Sequence, residues 1–326
     1  MKSILVFSNG EKIGDGIIKL PLLYEIKKRM PDIKLYWMTH AGKTVYNGRL
    51  KNIALQYIDE IYEKVNLQPF FWQKISSKYK FENMKFNYIL DTQKVILRTI
   101  ALKRINSKIF ISASAAGIFS NIKVTKNNNI RKYYLDDLFE LLSLITPGVV
   151  DNNFKINIPK KLIDELNIIF NKTNSYIGYA PGAGENEKKW NLENYIEIAK
   201  YFENKNYKSV FFLGPDDHDL KRKINDYFPK AFYPEEKIKD FSGPEIVMAC
   251  TKYLACSLSN DSGVSHMLST NYSPLIKLFG PKDSKKFTPP STMIKTIEAN
   301  IFGNKEINNI PIEYVKTQME KELFLK

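Results

Sequence analysis

Short apolar segments of strand length alternate with helical segments along almost the whole chain, and this alternation limits the fold more than any other feature. Residues 3–8 form a nearly continuous apolar run, as expected for a strand that is buried on both faces of a parallel sheet. Residues 210–213 form a second apolar run of strand length in the other half of the chain. A repeated order of strand, helix and strand is typical of doubly wound α/β domains.

The expected elements follow from this alternation. In the first half we expect strands at 3–8, 34–39, 58–63, 88–91 and 108–112, and helices at 14–30 and 95–104. In the second half we expect strands at 176–179, 209–213, 231–233, 253–257 and 275–279, and helices at 162–171, 192–204, 219–227, 244–251, 264–269 and 312–325. Pro21 is expected to kink or restart the first helix, because proline interrupts a helix interior.

A polar stretch with two prolines, residues 147–161, predicts a linker between two domains. With 326 residues, the chain is long enough for two hydrophobic cores. We therefore expect two Rossmann-like, doubly wound domains that face a central cleft, the first over residues 1–155 and the second over 156–310. The helix within residues 311–326 is expected to pack back on the first domain.

The net charge of +14, from 49 basic and 35 acidic side chains, has two interpretations. One is a polyanionic partner such as nucleic acid, anionic lipid or a phosphorylated glycolipid. The other is a compositional bias toward lysine, which we favour because only six of the basic residues are arginine, the side chain preferred for bidentate phosphate recognition. No specific nucleic-acid partner is therefore expected, whereas a substrate at a membrane surface remains compatible with the charge.

No apolar run approaches the roughly 20 residues that span a bilayer. No signal-peptide pattern opens the sequence, so we expect a cytoplasmic protein. Cys250 and Cys256 match neither a redox nor a zinc spacing and are expected to be buried apolar residues. The sequence does not indicate an oligomeric state.

The turn at residues 260–263, Asn-Asp-Ser-Gly, joins an expected strand to an expected helix. Asp261 is suited to cap that helix, because its carboxylate can accept hydrogen bonds from the first turn. The amides of Ser262, Gly263 and Val264 would then point outward at the positive end of the helix dipole. Such a turn favours the binding of a phosphate group.

A glycine-rich turn at residues 179–184 leads to Lys188 and Lys189, and it has the same character. Gly182 and Gly184 would let a ligand approach the backbone closely. Two phosphate-type loops in one half of a chain indicate a nucleotide diphosphate as the ligand. A lysine beside it would neutralise the charge of a leaving group, and the alternative is a solvated lysine pair.

Asp15 lies between two glycines at the start of the first helix. At that place it would lie at the carboxyl edge of the sheet, where α/β proteins bind ligands. One interpretation is a general base that takes a proton from a hydroxyl nucleophile. The other is a helix-capping aspartate, and the residues themselves do not decide between the two.

Gly214 and the segment 216–219, Asp-Asp-His-Asp, follow another expected strand. Asp217 and Asp219 could hold a divalent cation or cap a helix, and we favour a contact between Asp217 and a ribose or sugar hydroxyl. His266 lies one turn into its helix and could donate to a phosphate or sugar oxygen or pack structurally. The three histidines are scattered, so no metal site is expected.

Taken in chain order, these blocks resemble glycosyltransferase family 9, the ADP-heptose–lipopolysaccharide heptosyltransferases and their relatives. The blocks are 13–16 with 20–22, 88–93, 180–183 with Lys188 and Trp190, 212–214, 260–263 with His266, and 278–281 with Asp283. They extend from about residue 3 to about residue 289, which is nearly the whole chain. The segment from 260 to 283 is the most specific part of the resemblance.

The resemblance implies a GT-B fold with the donor site in the second domain. It implies inverting, metal-independent transfer of a sugar, most directly heptose from ADP-heptose, onto a hydroxyl of a lipopolysaccharide-core or related glycan acceptor. The family's catalytic base corresponds to Asp15 and its diphosphate-contacting lysine to Lys188, with Lys189 as the neighbouring alternative. The acceptor would lie against the first domain, where Gln93 and Arg98 are candidates. The nucleotide sugar is a co-substrate, and no resident cofactor is implied.

The motifs and the resemblance together predict one set of donor-binding residues. They are Gly182, Gly184, Lys189, Gly214, Asp217, Asp261, Ser262, Gly263 and His266. The chain departs from the family pattern at three positions, where Ser262 replaces threonine, Gly184 replaces a phosphate-contacting Ser or Thr, and Gly16 replaces a branched apolar residue.

Three further expectations concern alternatives and location. The family includes members whose sugars differ from heptose, so a transferase or epimerase that uses another nucleotide sugar is the enzymatic alternative. A non-catalytic, basic nucleotide- or nucleic-acid-binding protein is the non-enzymatic one. An acceptor of the implied kind would place the protein peripherally at the cytoplasmic face of the inner membrane.

Overall fold

The computed structural model describes residues 2–70, 72, 80–124, 133–151 and 154–324. The chain divides into two compact units, Met1–Asp151 and Asn152–Lys326. The predicted boundary after residue 155 lies close to this division. Each unit contains a parallel sheet with helices, which confirms the expectation of two Rossmann-like α/β domains. Their arrangement about a cleft stays a prediction.

The first unit contains a parallel sheet whose strands, within the described residues, lie in the order β3-β2-β1-β4-β5. The strands are β1 (Ser3–Ser8), β2 (Lys34–Thr39), β3 (Glu60–Tyr62), β4 (Phe86–Asp91) and β5 (Ser107–Ser112). The helices are α1 (Ile13–Arg29), α2 (Lys51–Ala54), α3 (Ile96–Lys103) and α4 (Tyr134–Ile145). The strand order reverses between β1 and β4, so the loops that follow these two strands lead to opposite sides of the sheet.

The second unit contains a parallel sheet of order β10-β9-β8-β6-β7 within the described residues. The strands are β6 (Ser175–Ala180), β7 (Tyr207–Phe211), β8 (Leu254–Asn260), β9 (Leu275–Phe279) and β10 (Ile294–Glu298). The helices are α5 (Lys160–Ile169), α6 (Leu192–Glu203), α7 (His218–Tyr227), α8 (Gly243–Cys250), α9 (Gly263–Leu268), α10 (Ser284–Phe287) and α11 (Ile312–Phe324). Here the order reverses between β6 and β8.

Burial explains why these segments are strands. All residues of β1 and of β9 are buried, because helices cover both faces of a doubly wound sheet. The second core contains side chains from β6, β8 and β9 together with those of α6 and α11. Cys250 and Cys256 are buried, as expected.

The first helix is not interrupted at Pro21, contrary to our expectation. α1 continues from Ile13 to Arg29 with Pro21 inside it. Leu20, Leu22 and Leu23 on either side of the proline are fully buried. Their burial offsets the hydrogen bond that a proline in a helix interior loses.

The C-terminal helix is placed differently from our expectation. α11 belongs to the second unit and contacts α6, β8 and β9, whereas we expected it on the first domain. Val315 and Met319 are fully buried in the second core, so the apolar face of the helix is satisfied there. In the same unit, the expected strand at 231–233 is reduced to a single bridge between Phe232 and Val210.

None of the helices in the described part of the chain is both long and apolar enough to cross a membrane.

Candidate functional site

The reversal of strand order between β6 and β8 creates the candidate donor site of the second unit. Ligands of open α/β sheets bind beyond the carboxyl ends of the strands at such a reversal, because the loops there diverge and leave a crevice. The loop that follows β6 carries Gly182, Gly184 and Lys188, and the turn that follows β8 carries Asp261 and Ser262. The topology therefore brings the two predicted phosphate loops to one edge of the sheet.

Asn260, the last residue of β8, ties these two loops together. Its side-chain oxygen accepts from the backbone N–H of Trp190 at 3.3 Å and from the hydroxyl of Tyr195 at 3.0 Å. Its amide nitrogen donates to the carbonyl oxygen of Pro181 at 2.7 Å. Asn260 is fully buried, so these bonds are shielded from water and fix the start of one loop against the end of the neighbouring strand.

We expect Asn260→Ala to lower the free energy of unfolding by about 3–5 kcal/mol, because each buried polar group left without a partner costs about 1–3 kcal/mol. Denaturant unfolding monitored by tryptophan fluorescence measures this change. Asn300→Ala is the matched control, because Asn300 is exposed and its amide donates to Glu298, and it is expected to cost less than about 0.5 kcal/mol. Equal losses for the two variants would show that Asn260 does not tie the loops together.

Asp261 does not cap the helix that follows it, which corrects our expectation. The cap of α9 is Ser262, whose hydroxyl accepts from the backbone N–H of Ser265 at 3.4 Å, and Ser265 accepts from the backbone N–H of Ser262 in return. A serine cap leaves the carboxylate of the preceding residue available for other partners. The N–H groups of Gly263 and Val264, at the first two helical positions, have no carbonyl partner within the helix by its geometry.

The carboxylate of Asp261 instead lies between two lysines. Lys277 Nζ, from β9, lies 3.0 Å from Asp261 Oδ1, and Lys188 Nζ lies 3.8 Å from Oδ2. Lys188 also lies 3.0 Å from Glu185 Oε1. The structure thus places Lys188, and not its neighbour Lys189, beside the turn at residues 260–263. Of the two lysines that the sequence offered as the diphosphate cation, the geometry favours Lys188.

His266 completes this group at the first turn of α9. Burial, reinforced by the positive charges of Lys277 and Lys188, holds the pKa of His266 well below its ordinary value. The imidazole is therefore neutral near pH 7 and can donate one hydrogen bond and accept another. We call Lys188, Asp261, His266 and Lys277 the charged cluster.

Gly182, Gly214 and Asp217 also come together, through a contact that the sequence did not predict. Asp217 Oδ2 accepts from the backbone N–H of Gly214 at 2.8 Å. A Cβ atom added at Gly182 would lie 2.2 Å from the same oxygen, so a side chain at this position would have to displace the carboxylate of Asp217. Gly184 is exposed with open space around it. Asp217 thus organises the loop after β7, and its predicted contact with a sugar hydroxyl stays a prediction.

Within the described residues, no three His, Cys, Asp or Glu side chains come together in a way that could hold a metal ion.

In the first unit, Asp15 lies in the first turn of α1 and is exposed. The N-cap of this helix is Lys12, so the helix-capping interpretation of Asp15 is wrong. Gly16 is needed beside it, because a Cβ atom there would lie 2.3 Å from Cγ2 of Val45. The hydroxyl of Tyr46 donates to the carbonyl oxygen of Gly16 at 2.7 Å and holds this turn in place.

Two buried charged residues near Asp15, Glu11 and Lys19, were not predicted from the sequence. Lys19 Nζ lies 3.6 Å from Glu11 Oε1 and donates to Ser8 Oγ at 3.1 Å. Burial lowers the pKa of Lys19, and the negative charges of Glu11 and Asp15 oppose that shift. Burial raises the pKa of Tyr134 to about 12, and the negative charges of Asp15 and Glu11 add to this effect. Only the spacing of Glu11 and Lys19 across a strand-helix turn could have indicated this pair.

The predicted acceptor residues Gln93 and Arg98 follow β4. The backbone N–H of Gln93 donates to Asp91 Oδ1 at 2.9 Å, and burial raises the pKa of Asp91 to about 6 although this bond and two hydroxyl donors oppose the shift. Arg98, on α3, is close enough to His40 that its charge adds to the effect of burial in lowering the pKa of His40. Gln93 and Arg98 are half-buried and thus retain accessible surface beside the first strand reversal.

Comparison with known proteins relates the part of the chain that contains the charged cluster to a known family. The sequence profile of "Glycosyltransferase family 9 (heptosyltransferase)" matches residues 150–311, which include the whole charged cluster. Lipopolysaccharide heptosyltransferase 2 of Salmonella typhimurium is 32% identical over 120 residues, a match that covers 35% of this chain and 33% of that protein. The chain thus matches about a third of the length of this curated relative.

Solved structures share the fold over the whole chain. A glycosyl transferase family 9 structure from Veillonella parvula has a TM-score of 0.75 with 19% identity, and the match covers 100% of this chain and 98% of that one. The E. coli ADP-heptose lps heptosyltransferase II has a TM-score of 0.71 with 15% identity, over 100% and 99% of the two chains. These likenesses confirm the expected GT-B fold. The profile match over residues 150–311 assigns this part of the chain to glycosyltransferase family 9.

Proposed function

We propose that this protein is an inverting glycosyltransferase that moves a sugar, most directly heptose from ADP-heptose, onto a hydroxyl of a lipopolysaccharide-core or related glycan acceptor. One observation carries the proposal, namely the charged cluster at the strand reversal of the second sheet. Lys188 lies beside a turn whose first helical amides lack intrahelical partners, and a diphosphate needs such a combination of cation and N–H donors. Family membership and the names of the relatives support heptose as the sugar.

The proposed reaction is a single displacement at the anomeric carbon. Asp15 takes the proton from the acceptor hydroxyl, and the hydroxyl oxygen forms a bond to the anomeric carbon while the bond to the diphosphate oxygen breaks. The diphosphate leaves with that electron pair. Lys188 and the amides of Gly263 and Val264 stabilise its charge as it develops. In this scheme the side-chain and backbone donors take the role that a divalent cation has in other nucleotide-sugar enzymes.

The acceptor side of the proposal rests on the first unit. Gln93 and Arg98 would bind the acceptor, with Arg98 pairing an acidic group on it. A lipopolysaccharide-core acceptor is anchored in a membrane, so we propose a peripheral position at the cytoplasmic face of the inner membrane. The net charge of +14 is consistent with such a surface.

Thermal unfolding in the presence of nucleotides tests the donor part of the proposal, because a ligand that binds only the native state raises the midpoint. We expect ADP to raise the midpoint, with UDP and GDP having no effect. A raised midpoint with UDP alone, or with GDP alone, would show that the donor carries that nucleotide instead of ADP. No shift with any of the three would contradict a nucleotide-diphosphate site.

Product analysis tests the reaction itself. Mass spectrometry after incubation with ADP-heptose and a heptose-free lipopolysaccharide-core acceptor is expected to show one added heptose per acceptor and an equal amount of ADP. An epimerised nucleotide sugar without a changed acceptor would favour the epimerase alternative. Salt-sensitive binding of DNA or RNA without nucleotide-sugar binding would favour the non-catalytic alternative.

A further inference from the structure

Lys277 is a lysine in the middle of a strand that is buried on both faces. Its neighbours in register are Ser259 on β8 and Thr296 on β10, and its side chain has no exposed surface. Transfer of a lone charge into such a position costs several kcal/mol, so a lysine there requires a charged partner. The identity of this charged partner therefore indicates the role of Lys277.

The partner is the carboxylate of the predicted phosphate turn. Lys277 Nζ lies 3.0 Å from Asp261 Oδ1 and donates to the carbonyl oxygen of Phe287 at 3.1 Å. The side chain of Asp261 is 8% exposed, so the pair is largely shielded from water. The pair carries no net charge, whether the shared proton lies on Lys277 or on Asp261. The contacts of Lys277 Nζ with Phe287 and with Asp261 hold the ammonium group in place and thereby orient the carboxylate.

Lys188 competes for the same carboxylate from the outer side. Its Nζ lies 3.8 Å from Asp261 Oδ2, and its side chain is 18% exposed, so of the two lysines in the cluster it is the one that a ligand can reach. Its other partner, Glu185, is half-exposed and is shared with Lys282, so solvent screens that pair. Coulomb attraction rises as distance and exposure fall, so Asp261 is held chiefly by Lys277.

We propose that Lys277 is a positioning residue that neutralises and orients Asp261 and thereby leaves the charge of Lys188 for a bound diphosphate. The inference rests on the proposed function, because it concerns the same donor site. Without Lys277, the buried carboxylate has Lys188 as its remaining cation in the cluster and draws it away from the ligand. The loss of a buried lysine that touches no phosphate then weakens phosphate binding.

The test is the affinity of three proteins for ADP, measured by calorimetry. Lys277→Met keeps the length of the side chain, and it is expected to weaken ADP binding roughly tenfold or more, as expected for the loss of a charge-assisted hydrogen bond. Lys277→Met combined with Asp261→Asn removes both charges and frees Lys188. We expect this double variant to recover most of the ADP affinity that Lys277→Met loses, because Lys188 no longer pairs with a carboxylate at residue 261. A role for Lys277 that does not act through Asp261 would not produce recovery when Asp261 is also changed.

The double variant keeps the inference testable even if the single variant does not fold, because it buries no unpaired charge. A folded double variant that binds ADP tenfold more weakly than the wild type would overturn the inference, as would a single variant with unchanged affinity. Lys19→Met, which removes a buried and paired lysine from the first unit, is the matched control and is expected to leave ADP affinity unchanged. If the wild type binds none of ADP, UDP and GDP, the proposed function fails, whereas an unaffected single variant beside a binding wild type overturns only the role of Lys277.

Discussion

Asp15→Ala is expected to lower kcat for sugar transfer by about 10²- to 10⁴-fold, the usual contribution of a general base. The reason is that Asp15 is an exposed carboxylate in the first turn of α1 and is not the cap of that helix. Removal of the carboxylate takes away the acceptor of the hydroxyl proton without disturbing the second unit. ADP affinity should therefore stay within about twofold of the wild type, because in the proposed reaction Asp15 contacts the acceptor and shares no contact with the nucleotide. Initial rates with ADP-heptose, together with calorimetric titration of ADP, measure both quantities.

Glu193→Ala is the matched control for this variant. Glu193 is also an exposed acid in the first turn of a helix, α6, and it has no proposed part in the reaction. Its rate should equal that of the wild type. A parallel loss of rate and ADP affinity in Asp15→Ala, or an equal rate loss in the control, would show that Asp15 has a structural role.

Lys188→Met is expected to have the second large effect, on both the rate and the binding of the donor. Lys188 is the partly exposed cation of the charged cluster, and we propose that it stabilises the departing diphosphate. Loss of one such donor raises the barrier by about 3–4 kcal/mol, which lowers kcat by about 10²- to 10³-fold. The affinity for ADP should also fall, because the same contact exists in the product complex.

Lys189→Met provides the comparison, since this lysine is adjacent in sequence and is also half-buried. It is expected to change kcat by less than about tenfold, because Lys188 and not Lys189 pairs with Asp261. Steady-state kinetics of both variants with ADP-heptose decide the matter. A larger loss for Lys189→Met would move the role of the diphosphate cation to that residue.

The alternation of apolar and helical segments was enough to predict the order of most strands and helices. β1, β2 and β9 have the expected bounds, because continuous burial produces continuous apolar runs. α4 was not predicted although Leu135, Leu138, Phe139 and Leu142 recur at helical spacing, so its signal was present in the sequence and was missed. β10 was not predicted either, because its alternating residues are only partly buried and follow two prolines.

Local signals were less informative where packing decides the outcome. Pro21 interrupts an isolated helix, but burial of the neighbouring leucines keeps α1 continuous. The C-terminal helix has a modest apolar face, and its sequence does not reveal which of the two cores will bury it. Both errors have the same cause, because tertiary contacts override local preference.

The candidate site was predictable in its loops but not in its charge pairs. The glycines and small polar residues at 180–184 and 260–263 mark two strand-helix turns, and the strand order then brings these turns together. Lys277 lies 16 residues beyond Asp261 in an apolar run, and the sequence does not reveal that the two side chains meet. The same holds for Glu11 and Lys19, whose burial depends on packing beneath α1.

The central claim is that the turn after β8 and Lys188 together bind the diphosphate of a nucleotide. A crystal structure of the protein with ADP tests it most directly. We expect density for the two phosphates within hydrogen-bonding distance of Lys188 Nζ and of the backbone N–H groups of Gly263 and Val264. Phosphate density at any other place in the second unit, or in the first unit, would contradict the account.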